Sequence, residues 1–300
     1  MKLSFDIQNK TQPDPFIFED AGKFYLYVTA IDGVEAYSAS DIFGQWRYEG
    51  IVTDIKGKSF WAPSVIKFDD KYYMYVSFDR GEEFEEFMHV ASSDSPLGPF
   101  KNEKLLYDRF SIDSHAVKTS KGLYLWYAEN STAGERIGTR VFVDRLLDPE
   151  TPENLCVEKI VPTFDEEIFT PSAHNNWHTI EGPLYFREGD WHYVMYSGGC
   201  YQDDTYHIGY ASAKSDEEDL TKVSFEKHTL EGAFDPVMIK NDFEEGTGHH
   251  SVIKYKGEYY AIYHGRDLTE ARQGEARTAR ICSLEVKDGK ITAKRYQNKI

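Results

Sequence analysis

The 300 residues suffice for one large domain or two ordinary ones, and 21 Tyr with 19 Phe favour strands over helices. A net charge of −17 argues against nucleic acid as a partner, since a surface that binds a phosphate backbone needs Lys and Arg in excess. No stretch is apolar over the length that a bilayer span needs, so no membrane partner is expected either.

The opening Met1-Lys2-Leu3-Ser4-Phe5-Asp6 has neither the apolar core nor the cleavage site of a secretory leader, which points to the cytoplasm. Cys156, Cys200 and Cys282 are odd in number, far apart and without CxxC spacing, and read as unpaired thiols. One pattern then recurs along the chain: an apolar strand, a charged or Gly-containing turn, and an aromatic strand. Its copies are 14–29, 62–77, 113–129, 181–198 and 249–265, each a hairpin by its alternation and its turn residues. Further strand signals follow at 35–40, 88–93 and 207–212. The polar stretches 144–165 and 216–246 read as loops or outer-strand excursions. Residues 281–286, with the Asp288-Gly289 turn, read as a last hairpin that helps to close a ring. Such a spacing between copies suits propeller blades, so the fold class is all-β, a five-bladed β-propeller, with 1–300 as a single catalytic domain.

Aligning the copies on Tyr25, Tyr73, Tyr124, Tyr193 and Tyr260 places Asp14, Ala62, Asp113, Glu181 and His249 eleven or twelve positions upstream. The first strand of each blade lines the channel, so these five should converge at one end of the axis. Three of them are acids. A single Asp before a strand is ordinary turn chemistry. Three like charges at a ring centre cost energy unless protons, partners or a substrate offset them. Carboxylates facing each other across a funnel suit glycoside cleavage, where an acid protonates the leaving oxygen and a carboxylate activates water. A third acid can hold up the proton donor's pKa.

The motifs around Asp14-Pro15, Trp61-Ala62-Pro63-Ser64, Ile112-Asp113-Ser114, Glu181-Gly182-Pro183 and Gly248-His249-His250-Ser251 together resemble glycoside hydrolase family 43. The resemblance runs from about Asp14 to Val286. It implies a five-bladed propeller and an inverting enzyme with Asp14 as general base, Glu181 as general acid and Asp113 as the acid that tunes it. Base and acid should then lie roughly 6.5–9.5 Å apart. It further implies α-L-arabinofuranosidase or β-D-xylosidase activity on short plant-derived oligosaccharides. The third motif departs from the usual Asp-Pro, and Asp108 is an out-of-register rival to Asp113.

Trp61 should sit at the funnel rim, stacking on sugar or simply packing, and Trp177 before Glu181 reads the same way. Arg277 resembles a family arginine that reaches substrate and acids, with Arg266 as a second candidate and a surface ion pair as the alternative for either. His249 belongs to the substrate-facing set. By resemblance it also lies near an axial ion, a structural calcium, although catalysis requires no cofactor. His174 and His178 lack the Glu of HExxH and flank an Asn pair, which argues against zinc hydrolysis, though His178 can border the site. The acidic run 79–86 reads as a solvated turn. A glycoside phosphorylase on the same fold, or a sugar-binding propeller without catalysis, are the alternatives.

Overall fold

The structure is a computed structural model describing residues 1–7, 10–81, 86–172, 174–268 and 276–296. Each repeat begins as the predicted hairpin. In the first, Phe16–Asp20 pairs with Lys23–Val28 across Ala21 and Gly22, whose φ values of 51° and 76° match the twist that a two-residue hairpin turn requires. Glu35–Ala39 and Gln45–Ile51 extend this sheet outward as blade 1.

Blade 2 is built from Lys58–Phe68, Lys71–Asp79, Phe87–Ser93 and the first half of Lys101–Thr119. The second half of that same strand opens blade 3, followed by Gly122–Ser131, Gly138–Asp148 and Val157–Ile160. Blade 4 holds Trp177–Glu188, Trp191–Gly198, His207–Lys214 and Glu226–Lys227. Blade 5 holds Glu244–Tyr255, Glu258–Asp267, Thr278–Lys287 and Lys290–Lys294. No described residue is in an α-helix, so no helix there is long and apolar enough to cross a membrane.

Apolar side chains on both faces of each blade pack against the neighbouring blades. Five buried clusters result, one per joint. Tyr27 and Ala36 meet Val65 and Met74 between blades 1 and 2, and Tyr75 and Val90 meet Leu125 between blades 2 and 3. Trp126 and Val143 meet Tyr185 and Val194 between blades 3 and 4, and Met195 and Tyr210 meet Tyr263 and Cys282 between blades 4 and 5. Leu26 and Trp46 meet Ile262 and Ile281 between blades 5 and 1, and the ring is closed. The molecule is a five-bladed β-propeller.

Closure uses the expected last hairpin and adds the N-terminal residues to it. The hairpin of Thr278–Lys287 and Lys290–Lys294 lies on the outer side of blade 5. The seam is sealed by the N-terminal residues: Leu3 N–H donates to Ala279 O at 3.0 Å, Ile281 N–H to Met1 O at 2.8 Å, and Ser4–Phe5 runs parallel to Gln45 and Trp46 of blade 1. The stretches read as loops or outer-strand excursions do supply outer strands, Val157–Ile160 at the edge of blade 3 and Glu226–Lys227 at the edge of blade 4. Residues 144–148, however, complete the third strand of blade 3, and Glu244–Glu245 start the innermost strand of blade 5. Their buried partners explain the miss: Asp144 and Glu244 are fully buried acids, satisfied by Tyr107 with backbone N–H groups and by Tyr263 with Arg280 respectively.

Candidate active site

The inner strand of each blade, or in blade 1 the segment leading into it, is kinked at an equivalent place. Asp14, Ala62, Asp113, Gly182 and His249 all have positive φ, at 52°, 42°, 62°, 58° and 26°. Pairing with the second strand slips beside the kink in blades 2 to 5. These five, each eleven residues before its tyrosine, are the true equivalents, so Glu181 stands one place earlier, level with Trp61 and Ile112. A left-handed residue turns its own side chain and its predecessor's toward the axis. Two adjacent columns therefore furnish the pocket, one with Asp14, Asp113 and His249, the other with Trp61, Ile112 and Glu181. Asp tolerates this conformation, whereas for Ala62 and His249 it costs roughly 1–2 kcal/mol each.

All three predicted acids, with Trp61, His249 and Arg277, line one pocket of about 130 Å³ at the axis. Thr29, Ile112, Tyr201 and Tyr206 complete it and escaped the sequence reading. Thr29 follows the second strand of blade 1, and the two tyrosines come from the loop after Trp191–Gly198. Their only signal was two aromatics in a short polar loop following the Glu181 hairpin.

Asp14 accepts the Thr29 hydroxyl at 2.6 Å and an Arg277 Nη1 proton at 3.2 Å. Burial is the largest single effect and opposes its charge, but the Arg277 guanidinium, with smaller contributions from His264 and His249, holds the carboxyl below the usual range. His264 Nδ1 lies 3.3 Å from Asp14 Oδ1 yet accepts the Asp14 backbone N–H at 3.1 Å. That nitrogen carries no proton, burial pushes the ring down to about 4, and the contact is not an ion pair. Asp113 accepts the Gly182 N–H at 2.9 Å, and burial with the nearby Asp14 charge pushes it up to about 8. Glu181 accepts the Tyr206 hydroxyl at 2.6 Å, and burial with Asp113 pushes it up to about 8 as well. His249 Nδ1 lies 3.6 Å from both Asp14 Oδ1 and Asp113 Oδ2, and burial pushes this imidazole down toward its neutral form. The pocket thus holds one firmly ionised carboxylate beside two carboxyls that keep their protons near neutrality.

Other candidates fall elsewhere. Arg266 is buried and donates to the carbonyls of Tyr201 at 2.7 Å and Asp203 at 2.8 Å, so it fixes the loop that carries Tyr201 without lining the pocket. Trp177 starts the inner strand of blade 4 and does not line the pocket. His178 bonds Arg136 and backbone carbonyls at the joint of blades 3 and 4. Asp108 is exposed on the outer strand of blade 2. In the acidic run, residues 82–85 lie outside the described residues, but Glu86 is fully buried, against the solvated-turn expectation.

An axial calcium would need six to eight oxygen ligands. Among the described residues no three His, Cys, Asp or Glu side chains are arranged around an ion. Among the described residues, His250, next to His249, is buried with both ring nitrogens unpartnered. One imidazole is a poor fit to calcium, water would have to supply the rest, and no chemical step depends on it.

A β-propeller whose axial pocket gathers three acids of opposed ionisation has the makings of a glycoside-cleaving enzyme. The profile of glycosyl hydrolases family 43 matches residues 7–291, and the chain belongs to that family. It is similar to the xylosidase/arabinosidase of Bacteroides ovatus, at 24% identity over 93% of this chain and 93% of that one. A thermostable family-43 glycoside hydrolase superposes with a TM-score of 0.81 at 26% identity, covering 98% of this chain and 95% of its own. An endo-1,4-beta-xylanase from Bacteroides thetaiotaomicron shares the fold, with a TM-score of 0.78, 23% identity and 95% coverage of each chain.

Proposed function

We propose that this glycoside hydrolase, with 1–300 as one catalytic unit, is an inverting pentosidase that removes α-L-arabinofuranose or β-D-xylose from short plant-derived oligosaccharides. Asp14 is the general base: ionised beside Arg277, it takes a proton from the attacking water. Glu181 is the general acid: kept protonated, it gives that proton to the leaving oxygen as the glycosidic bond breaks. Asp113 raises the proton affinity of Glu181 and holds the Gly182 amide. Trp61, Arg277 and His249 contact the sugar. The observation that carries this reading is the opposed setting of the two acids: Asp14 is bonded to the Arg277 cation, whereas burial and the neighbouring Asp113 hold Glu181 protonated against the pull of the Tyr206 hydroxyl. The names of the relatives support the pentose.

A phosphorylase would gather cations for phosphate, but among the described residues Arg277 alone supplies a cation to the pocket, and it is tied to Asp14. Three free cysteines support a reducing compartment, the cytoplasm. The test is hydrolysis of aryl α-L-arabinofuranoside and aryl β-D-xyloside by the wild type and Glu181→Gln. Cleavage of one substrate should fall roughly 10²–10⁴-fold in the variant, and proton NMR of the first product should show the opposite anomer. An unchanged rate in Glu181→Gln would remove the assignment, and a retained anomer would remove inversion.

A further inference from the structure

The kinks that shape the pocket create a demand of their own. A bulged residue drops out of its hairpin ladder, and its buried N–H then needs another acceptor. Ala62 lies between the pairs Trp61–Ser77 and Ser64–Tyr75, and His249 between Gly248–His264 and His250–Tyr263. Gly182 lies between Glu181–Ser197 and Leu184–Met195, and Asp14 precedes the first pair of its hairpin, Phe16–Tyr27.

The acceptors come from the preceding blade, and from one column of it. Four positions after the aligned tyrosines stand Thr29, Ser77, Ala128, Ser197 and His264. The Thr29 hydroxyl accepts the Ala62 N–H at 2.8 Å, and the Ser197 hydroxyl accepts the His249 N–H at 2.9 Å. His264 Nδ1 accepts the Asp14 N–H at 3.1 Å. Ala128 has no side-chain acceptor, and the Asp113 carboxyl takes the Gly182 N–H in its stead. Ser77 donates at 2.7 Å to the carbonyl of Ser111, two places before the kink of blade 3.

We propose that Thr29 and His264 are positioning residues of the general base, holding Asp14 at its carboxylate and at its amide. The inference rests on the assignment of Asp14 as base. The Thr29 hydroxyl has a single proton. With the Ala62 N–H lodged on its oxygen, that proton points to Asp14 Oδ2, 2.6 Å away. His264 can accept only with Nδ1 unprotonated, a form that its complete burial favours. Its ring also stacks on Tyr206, whose hydroxyl holds Glu181. One imidazole therefore sets the base against the acid. Inversion needs room for one water between the two, and a displacement of about 1 Å at Asp14 costs roughly 10²-fold in rate.

The experiment measures kcat and KM on dinitrophenyl and mononitrophenyl pentosides, with near-UV circular dichroism to confirm folding and with Asp14→Asn and Glu181→Gln as references. His264→Phe keeps a ring against Tyr206 but loses the acceptor, whereas His264→Asn puts an amide oxygen where Nδ1 stood. Thr29→Val keeps the shape and loses the hydroxyl, whereas Thr29→Ser keeps the hydroxyl. His264→Phe and Thr29→Val should each lower kcat about 10²-fold with KM little changed, and equally for both leaving groups. Glu181→Gln should instead lose more on the mononitrophenyl substrate, because dinitrophenolate departs readily without a proton. On the dinitrophenyl substrate, His264→Asn and Thr29→Ser should recover most of the loss. Wild-type kcat in His264→Phe and Thr29→Val overturns the positioning role and leaves the base standing. Rates in His264→Asn and Thr29→Ser as low as in their paired variants do the same. An undiminished rate in Asp14→Asn overturns the base assignment and the inference with it.

Discussion

Tyr206 holds the Glu181 oxygen from a ring stacked 5.6 Å from His264, and it fits because Gly248 lacks a side chain: a Cβ there would stand 1.9 Å from the Tyr206 ring. Its hydroxyl donates to one carboxyl oxygen and leaves the other to carry the transferable proton. That hydrogen bond favours ionised Glu181, against burial and the Asp113 charge. Tyr206→Phe should therefore raise the Glu181 pKa, shift the alkaline limb of kcat/KM upward, and lower kcat roughly tenfold through lost orientation. A limb that stays in place would mean that Tyr206 only fills space. In the wild type, activity needs Asp14 ionised and Glu181 protonated. Rates should hold level down through the ordinary carboxylate range, because Asp14 ionises below it, and fall as pH rises through about 8. Asp113 and Glu181 titrate as a coupled pair, so that limb belongs to both. Glu86 makes a separate case. Buried with neither oxygen partnered among the described residues, it is pushed from 4.5 up to about 8 in the folded chain. The unfolded chain releases this proton first, so stability drains as pH rises between those values. Glu86→Gln removes the effect, and its Tm advantage over the wild type should widen from pH 5 to pH 8 in calorimetry; a constant gap would contradict the buried neutral carboxyl.

At the scale of strands, the kink is the element that makes the site. The sequence column found it through the spacing to the aligned tyrosines, and Asp14, Asp113 and His249 were legible for that reason. Glu181 was legible as an acid but misplaced by one position. The Pro15, Pro63 and Pro183 alignment shows that Gly182 holds the left-handed place. Residues brought in by loops were not legible: Tyr201 and Tyr206 reach the axis because Arg266 pins the loop's carbonyls, a tertiary fact with no local pattern. The acidic run misled for a similar reason, since nothing local distinguishes buried Glu86 from its neighbours. The joint between blades 3 and 4 gives a prediction at this scale. Gly138 pairs in parallel with His178, and a Cβ at Gly138 would lie 1.9 Å from the His178 carbonyl oxygen. Gly138→Ala should cost about 2–3 kcal/mol in denaturant unfolding, whereas Gly189→Ala, with nothing within 4 Å of its Cβ, should cost less.

For the whole molecule, five cores of similar kind link each blade to the next, but the joints differ in what holds their edges. Between blades 5 and 1 the chain's first residues supply the seal, with the Met1 ammonium donating to Ile281 O at 2.8 Å. Deleting residues 1–5 should lower Tm and speed amide exchange in Thr278–Lys287 ahead of the third strands of the other blades; uniform exchange would show that the cores alone close the ring. Between blades 2 and 3 the opposite holds, because Lys101–Thr119 runs unbroken from the rim of one sheet to the axis of the next. Those two blades share a beam. A chain rejoined at its ends and reopened elsewhere would survive new termini in the connection after Gln45–Ile51, which leaves every sheet whole. Cut within the beam, it would lose the outer edge of one blade and the strand that carries Asp113 in a single stroke, so the order in which this ring can be rewritten is already set by one strand.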